Sequence, residues 1–289
     1  MMPRAAEAGV APLGAASVNR IGFGAMRLTG SVPFGVGAPG DKDQAVRVLR
    51  RAVELGVNHI DTAAFYRSFL HSSNEVIRAA LHPYPDDLLI ATKVKSDPDH
   101  HGDTLRDQVE QNLAELGLER LDLVYLRVLP GSRVADDAAA LAELQAMGLI
   151  RDLGVSGVTE GQLAEALAVA HVVAVQNRFG VGVRRDEAVL GCTASKGIAF
   201  VPFFSIAAEG RHHGPPTRDR EEVLAVAAAH RVSPAMIRIA WTLQLGPHVI
   251  AIPGTSNLEH LEDNVRAARV RLSSEEVAAL GRIDAEQPA

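Results

Sequence analysis

One cysteine, Cys192, stands in the whole chain, so no disulfide can close within it, and the reducing cytoplasm is its natural setting. Aromatic residues make up only 4% of the sequence, which leaves few rings to build a sugar- or steroid-binding platform. No stretch reaches the roughly 18 uncharged apolar residues of a membrane span. The opening residues, rich in Ala, Gly and Pro, lack the sustained apolar run of a secretory signal. The 29 Lys and Arg are scattered and the net charge is -6, so a nucleic-acid backbone finds no basic stripe to follow. A Gly-x-Gly-x-x-Gly after a strand and a Walker loop are both missing, which removes the Rossmann and P-loop modes of nucleotide binding. His212 and His213 sit in a Pro- and Gly-rich loop without Cys or carboxylates at ligand spacing, so no metal site is expected.

What is present is a strand-then-helix pattern that repeats along the chain. Apolar strand-length runs are expected at Ile21–Met26, Val57–Asp61, Leu88–Lys93, Leu121–Arg127, Ile150–Ser156, Val172–Asn177, Ile198–Phe204 and His248–Ile252. Helices are announced by local caps: Asp41 before a helix through Leu55, Ser72 with Glu75 and Thr159 with Gln162 as capping boxes, and Ser233-Pro234 as an N-cap and N1 pair. Further helices are read over Asp103–Leu116, Ala138–Met147, Asp186–Ser195, Glu222–His230, Leu258–Ala268 and Ser273–Ile283. At 289 residues and 47% hydrophobic content this predicts an α/β fold, a (β/α)8 TIM barrel. The barrel domain is expected over 17–289 with extra C-terminal helices, behind a flexible leader at 1–16.

In such a barrel the strand C-termini form the active face. Two strands end there on ionisable residues, Asp61 and Lys93, and the loop after the first carries Tyr66. Taken singly, each has a plain structural reading: Asp61 caps a turn, Lys93 is solvated, Tyr66 is a wall. Together they make an acid, an amine and a phenol. A free tyrosine, with a pKa of about 10, yields its proton reluctantly, and a Lys ammonium held by a carboxylate is expected to make it a better acid. Alternation along Leu121–Arg127 turns Leu123, Tyr125 and Arg127 to one face, which makes Arg127 a fourth candidate. The turn Gly254-Thr255-Ser256 before a helix is a ready anion site, at the position where such barrels bind phosphate.

These segments resemble the aldo-keto reductases, and within that family a bacterial pyridoxal-reductase-like subgroup. The resemblance rests on Ile21-Gly22-Phe23-Gly24-Ala25-Met26, His59-Ile60-Asp61-Thr62-Ala63 with Tyr66, Ala91-Thr92-Lys93, Val175-Gln176-Asn177-Arg178, and Ile252-Pro253-Gly254-Thr255 with Asp263-Asn264. It implies reduction of a small-molecule carbonyl by hydride from NADPH, with NADH as the alternative. Asp61, Tyr66 and Lys93 would be catalytic. Ser156 and Gln176 would hold the nicotinamide amide, Phe203 would stack on its ring, and Gly24, Ala25, Met26 and Ile206 would line the same cofactor. Gly254, Thr255, Ser256, His260, Asp263 and Asn264 would take its adenosine end.

Three positions depart from the family pattern. Arg127 stands where a His is usual, Gly157 where an Asn follows Ser156, and neither Gly254 nor His260 supplies the Lys or Arg that many members set against a 2′-phosphate. Arg stays protonated, so it can orient an oxygen or read a carboxylate, phosphate or phenolate but cannot relay a proton. Reduction of an imine or a conjugated double bond is therefore an alternative, as is a nicotinamide-binding subunit that senses redox state without turnover. A barrel isomerase acting on a sugar phosphate is a third. The sequence does not speak to oligomeric state, and neither a nucleic-acid nor a membrane partner is expected.

Overall fold

A computed structural model of the protein describes residues 2–30, 40–97, 103–205 and 220–283. The Ile206 position and the His212-His213 loop lie outside the described residues. The chain opens with a 3-10 turn, Ala5–Ala8, and an antiparallel hairpin, β1 (Val10–Leu13) and β2 (Ala16–Asn19). Seven parallel strands follow in consecutive order: β3 (Phe23–Gly24), β4 (His59–Asp61), β5 (Leu89–Lys95), β6 (Leu121–Arg127), β7 (Ile150–Ser156), β8 (Val172–Gln176) and β9 (Ala199–Phe200). The eighth position is filled by bridges rather than a continuous strand. Ile21 pairs with Ala251 and Phe200 with Val249, both parallel, and the Gly22 N–H donates to the Ala251 carbonyl at 2.8 Å. These contacts join the last strand position to both β9 and the start of the sheet, closing the barrel.

Helices α1 (Lys42–Glu54), α2 (Ser73–Leu81), α3 (Asp103–Leu116), α4 (Val134–Ala146), α5 (Glu160–Val169), α6 (Glu187–Lys196), α7 (Glu221–His230), α8 (Pro234–Gln244) and α9 (Leu258–Arg266) ring the sheet, and α10 (Ser274–Gly281) is added at the end. The caps read from sequence are in place. Asp41 accepts from the Gln44 N–H, Ser72/Glu75 and Thr159/Gln162 form reciprocal capping boxes, and Ser233 caps α8 with Pro234 in its first turn. Among the described residues no single helix is long and apolar enough to cross a membrane.

Two differences from expectation have local causes. The run Ile198–Phe204 yields only a two-residue strand, because Pro202 has no N–H for the ladder and Phe204 sits at φ 61. The first strand is likewise cut short where Ala25–Arg27 turns into a 3-10 helix.

A third difference concerns the start of the chain, where the composition predicts a flexible leader over 1–16. Ala11, Leu13 and Val18 instead pack in an inner core with Leu89, Leu123 and Ile250 from the barrel interior. The Ala15 N–H donates to Asp152 Oδ2 at 3.1 Å and the Asn19 N–H to Asn58 Oδ1 at 2.8 Å, both near strand beginnings. The hairpin therefore plugs the N-terminal end of the barrel. Burying one Leu or Val side chain contributes roughly 1.5–3 kcal/mol, which explains why so short a segment is held. With that end closed, the mouth at the strand C-termini is left for chemistry.

Candidate active site

Strand register builds the mouth. Lys95 pairs with Arg127, Arg127 with Ser156, and Ser156 with Gln176, so four polar side chains from β5 to β8 stand in one row on the interior face. One step deeper, Lys93 is paired with Tyr125. Asp61 ends β4 beside them.

Lys93 Nζ donates to Asp61 Oδ2 at 2.6 Å and to the Thr62 carbonyl at 2.9 Å, with side-chain exposures of only 4% and 5% for the ion pair. The other carboxylate oxygen of Asp61 accepts from Gln176 Nε2 at 2.7 Å. Behind them a buried network fixes the flanking threonines. Thr62 Oγ1 donates to Asn74 Oδ1 at 2.8 Å, Asn74 Nδ2 to Asn112 Oδ1 at 2.9 Å, and Thr92 Oγ1 to the same Asn112 oxygen. Such satisfied polar networks pin side chains to one arrangement.

Tyr66 lies over this pair, its ring centroid 5.0 Å from Lys93 Nζ. Burial pushes the phenol above its ordinary value, Lys93 pulls it down and Asp61 pushes it up again. Lys93 acts in the direction expected from the sequence, but burial outweighs it and the net direction is upward. The phenol thus holds its proton at neutral pH and stands as a donor. Burial alone would push Lys93 down, but Asp61 and Tyr66 together outweigh it and the net direction is up, so the ammonium stays charged.

Arg127 leaves the row toward the rim of the mouth. Its Nη1 donates to Ser156 Oγ at 3.3 Å and its guanidinium carbon lies 5.3 Å from the Phe203 ring centroid. Lys95 stands over Phe65 at 4.2 Å, and Phe65 meets Tyr66 edge to face at 5.2 Å. Burial pushes both cations down, and Arg127 itself depresses Lys95 further. Sequence reasoning passes over Lys95 and Phe65. The signal for Lys95 is there: it lies two residues beyond Lys93, which on a strand is the same face. Asn177 is also missed as an organiser; its Oδ1 accepts from the Gly157 and Val158 N–H groups at 2.9 and 3.1 Å, and its Nδ2 donates to the Val158 carbonyl.

The remaining candidates form a second group at the rim. Gly24 closes β3, and its N–H approaches the Pro253 carbonyl at 3.4 Å; a Cβ on Gly254 would collide with the Gly24 carbonyl at 2.3 Å. Ala25 is buried and Met26 half-buried on the turn that follows. Thr255 Oγ1 accepts from the Asn257 N–H, and Asn257 caps α9 by accepting from the His260 N–H. Ser256 and His260 are exposed, Asn264 is buried, and Asp263 is paired with Arg266. Gly24 pairs in register with Asp61, so the close approach of the Gly24 and Gly254 backbones joins this segment to the Asp61 end of the mouth.

Comparison with known proteins identifies the family. The model of the aldo/keto reductase family matches residues 20–285. The chain belongs to the aldo/keto reductase family. It is similar to pyridoxine 4-dehydrogenase of Escherichia coli K12, at 40% identity over 95% of this chain and 98% of that protein. A thermostable aldo-keto reductase, Tm1743, solved with the inhibitor epalrestat, superposes with a TM-score of 0.81 at 27% identity, over 95% of this chain and 99% of the other. An aldo-keto reductase of Klebsiella pneumoniae solved with NADPH shares the fold at a TM-score of 0.82 and 24% identity, over 99% and 98%. As an aldo/keto reductase the protein is an oxidoreductase on a single (β/α)8 barrel, in agreement with the fold and family read from the sequence.

Proposed function

We propose that the protein is a nicotinamide-dependent carbonyl reductase in which Tyr66 gives the proton to the substrate oxygen. The observation that carries this reading is the buried Asp61–Lys93 pair at 2.6 Å with the Tyr66 ring 5.0 Å from its ammonium, at the open end of the barrel. The residues present fit a nicotinamide dinucleotide. Ser156 and Gln176, both 1% exposed, offer a hydroxyl and an amide at strand ends, and Phe203 offers a half-buried flat ring beside them. When bound, the reduced cofactor supplies the hydride.

On this reading Ser156 and Gln176 hold the carboxamide and Phe203 covers the ring. Gly24, Ala25 and Met26 form the wall alongside. Gly254, Thr255, Ser256, His260, Asp263 and Asn264 take the adenosine end, with NADPH as the cofactor and NADH as the comparison in any assay. Tyr66 donates its phenolic proton as negative charge develops on the carbonyl oxygen. Lys93 stabilises the phenolate left behind, because its ammonium stays charged in the pair with Asp61. Asp61 fixes Lys93, and Gln176 ties Asp61 to the cofactor end of the site. Arg127, which cannot relay a proton, orients the substrate.

For substrate, the relative from E. coli is named for dehydrogenating pyridoxine, an aromatic alcohol, and the reverse reaction is reduction of an aromatic aldehyde. The ring-lined mouth of Phe65, Tyr66 and Phe203 supports the same class here. Oxidation of NADPH and NADH followed spectroscopically over a panel of aromatic and aliphatic aldehydes tests the proposal. Saturable aldehyde-dependent oxidation is expected. Cofactor binding by calorimetry with no oxidation on any aldehyde or ketone would refute it, and oxidation on imines or enones alone would favour the alternative chemistry.

A further inference from the structure

Gly157 sits at φ +73, and a Cβ built on it would meet Arg127 Nη1 at 2.3 Å and Cζ at 2.9 Å. The guanidinium therefore fills the volume that any side chain at 157 would need. It is the bare Gly157 that lets Arg127 lie over Phe203 while donating to Ser156. Among the described residues no carboxylate forms an ion pair with Arg127. A guanidinium carries five N–H donors in a fixed fork, and one bond to a serine hydroxyl leaves most of them for a ligand. Tyr66 acts on it favourably, while two further cations lie near: Lys95 beside it in register and Arg185 ahead of α6. Partly buried positive charge and planar donors beside the Phe203 ring suit a planar anion.

We propose that Arg127 and Gly157 together form a subsite for an oxyanion, carboxylate or phenolate, carried on the aromatic ring of the carbonyl substrate. The inference rests on the carbonyl-reductase reading of the same mouth and names its substrate class. A neutral aldehyde can enter the slot but leaves the guanidinium without its partner. An aldehyde with an adjacent carboxylate or phenolate pairs with Arg127 while its carbonyl oxygen faces Tyr66. Charge-assisted hydrogen bonds of this kind are worth roughly 10- to 100-fold in affinity.

The test uses the full-length protein and a probe that needs no turnover. Benzoate and its neutral counterpart benzamide are titrated by calorimetry into the wild type, Arg127→Gln and Gly157→Ala. The wild type is expected to prefer benzoate by about 10-fold or more, and both variants to lose that preference. Arg127→Gln removes the charge, whereas Gly157→Ala keeps it but displaces the guanidinium, so loss in the second variant separates placement from charge. Circular dichroism melts establish that the variants are folded, and Arg127→Lys serves as a second, less disruptive variant that should retain part of the preference. In parallel, KM for 2-carboxybenzaldehyde and for 2-hydroxybenzaldehyde above its ionisation is compared with KM for benzaldehyde. A rise confined to one of the two in the variants identifies which oxyanion the slot takes. Retention of the benzoate preference in Arg127→Gln or in Gly157→Ala, with the protein folded, overturns the proposal. Failure to oxidise cofactor with benzaldehyde, 2-carboxybenzaldehyde and 2-hydroxybenzaldehyde alike in the wild type overturns the reductase reading alone, because benzoate binding does not depend on it.

Discussion

Replacing Lys93 by Met exposes how tightly the Asp61–Lys93 pair is bound into the barrel. Met keeps the length and apolar stem of Lys but removes the ammonium, so packing is nearly conserved while two hydrogen bonds, to Asp61 Oδ2 and to the Thr62 carbonyl, are lost. The Asp61 carboxylate remains, with a side-chain exposure of 5% and Gln176 Nε2 at 2.7 Å as its remaining donor. Breaking a buried pair by removing one partner costs about 3–5 kcal/mol, because the other charge stays behind unpaired. The orphaned Thr62 carbonyl adds about 1–3 kcal/mol.

Adding Asp61→Asn to Lys93→Met removes the stranded charge and leaves mainly the carbonyl penalty. The double variant should therefore be more stable than Lys93→Met alone by up to about 3–5 kcal/mol. Urea unfolding of the wild type, both single variants and the double variant, compared at constant slope, measures these differences. The reasoning fails if Lys93→Met costs under about 1 kcal/mol, or if the double variant is destabilised by the sum of the two singles.

Tyr66→Phe should lower kcat by about 10² to 10⁴ while cofactor affinity stays within a few-fold, since it removes a positioned proton donor and nothing else; steady-state kinetics with a parallel NADPH titration checks both. His59 is fully buried below Asp61, and burial, with Lys93 adding to it and Asp61 opposing, pushes its imidazole from 6.5 down to about 4. The unfolded chain then binds one more proton than the folded one between those values, so stability is present above about pH 6.5 and is lost as pH falls toward 4, by on the order of 3 kcal/mol. His59→Leu should flatten that part of a stability-against-pH curve by one proton, and an unchanged slope would assign the acid loss to other groups. Leu13→Ala at the barrel plug should destabilise by about 2–5 kcal/mol in the same urea assay, because Leu13 is 0% exposed. An effect near zero would return the N-terminal segment to the status of a loose leader.

The elements that local chemistry decides are legible in the sequence itself. Asp41, Ser72 with Glu75, Thr159 with Gln162, and Ser233 each cap the helix they announce, because a cap is settled within four residues of chain. What depends on partners distant in sequence is not. The segment 10–19 carries Pro12, Gly14 and small residues, which read as irregular. Its strands exist because Leu13 and Val18 find Leu89 and Leu123 inside the barrel and because Ala15 reaches Asp152. The net Tyr66 direction lies beyond the sequence for the same reason: the pull of Lys93 can be read along the chain, but burial is a property of the assembled mouth.

The two departures at 127 and 157 show the step that only three dimensions provide. Along the chain they are far apart and look independent, one a charged residue where an imidazole is usual and the other a lost amide contact. In the barrel, Arg127 pairs in register with Ser156, so Gly157 is the next residue above its neighbour, and the guanidinium lies where a side chain at 157 would be. A side chain at 157 would require the guanidinium, which lies over Phe203 and donates to Ser156, to shift. Because the two residues share one volume, a double-mutant cycle between Arg127→His and Gly157→Asn is expected to be non-additive. If the double variant binds benzoate and turns over benzaldehyde as the product of the two singles would dictate, the residues act separately and the shared volume has no functional weight.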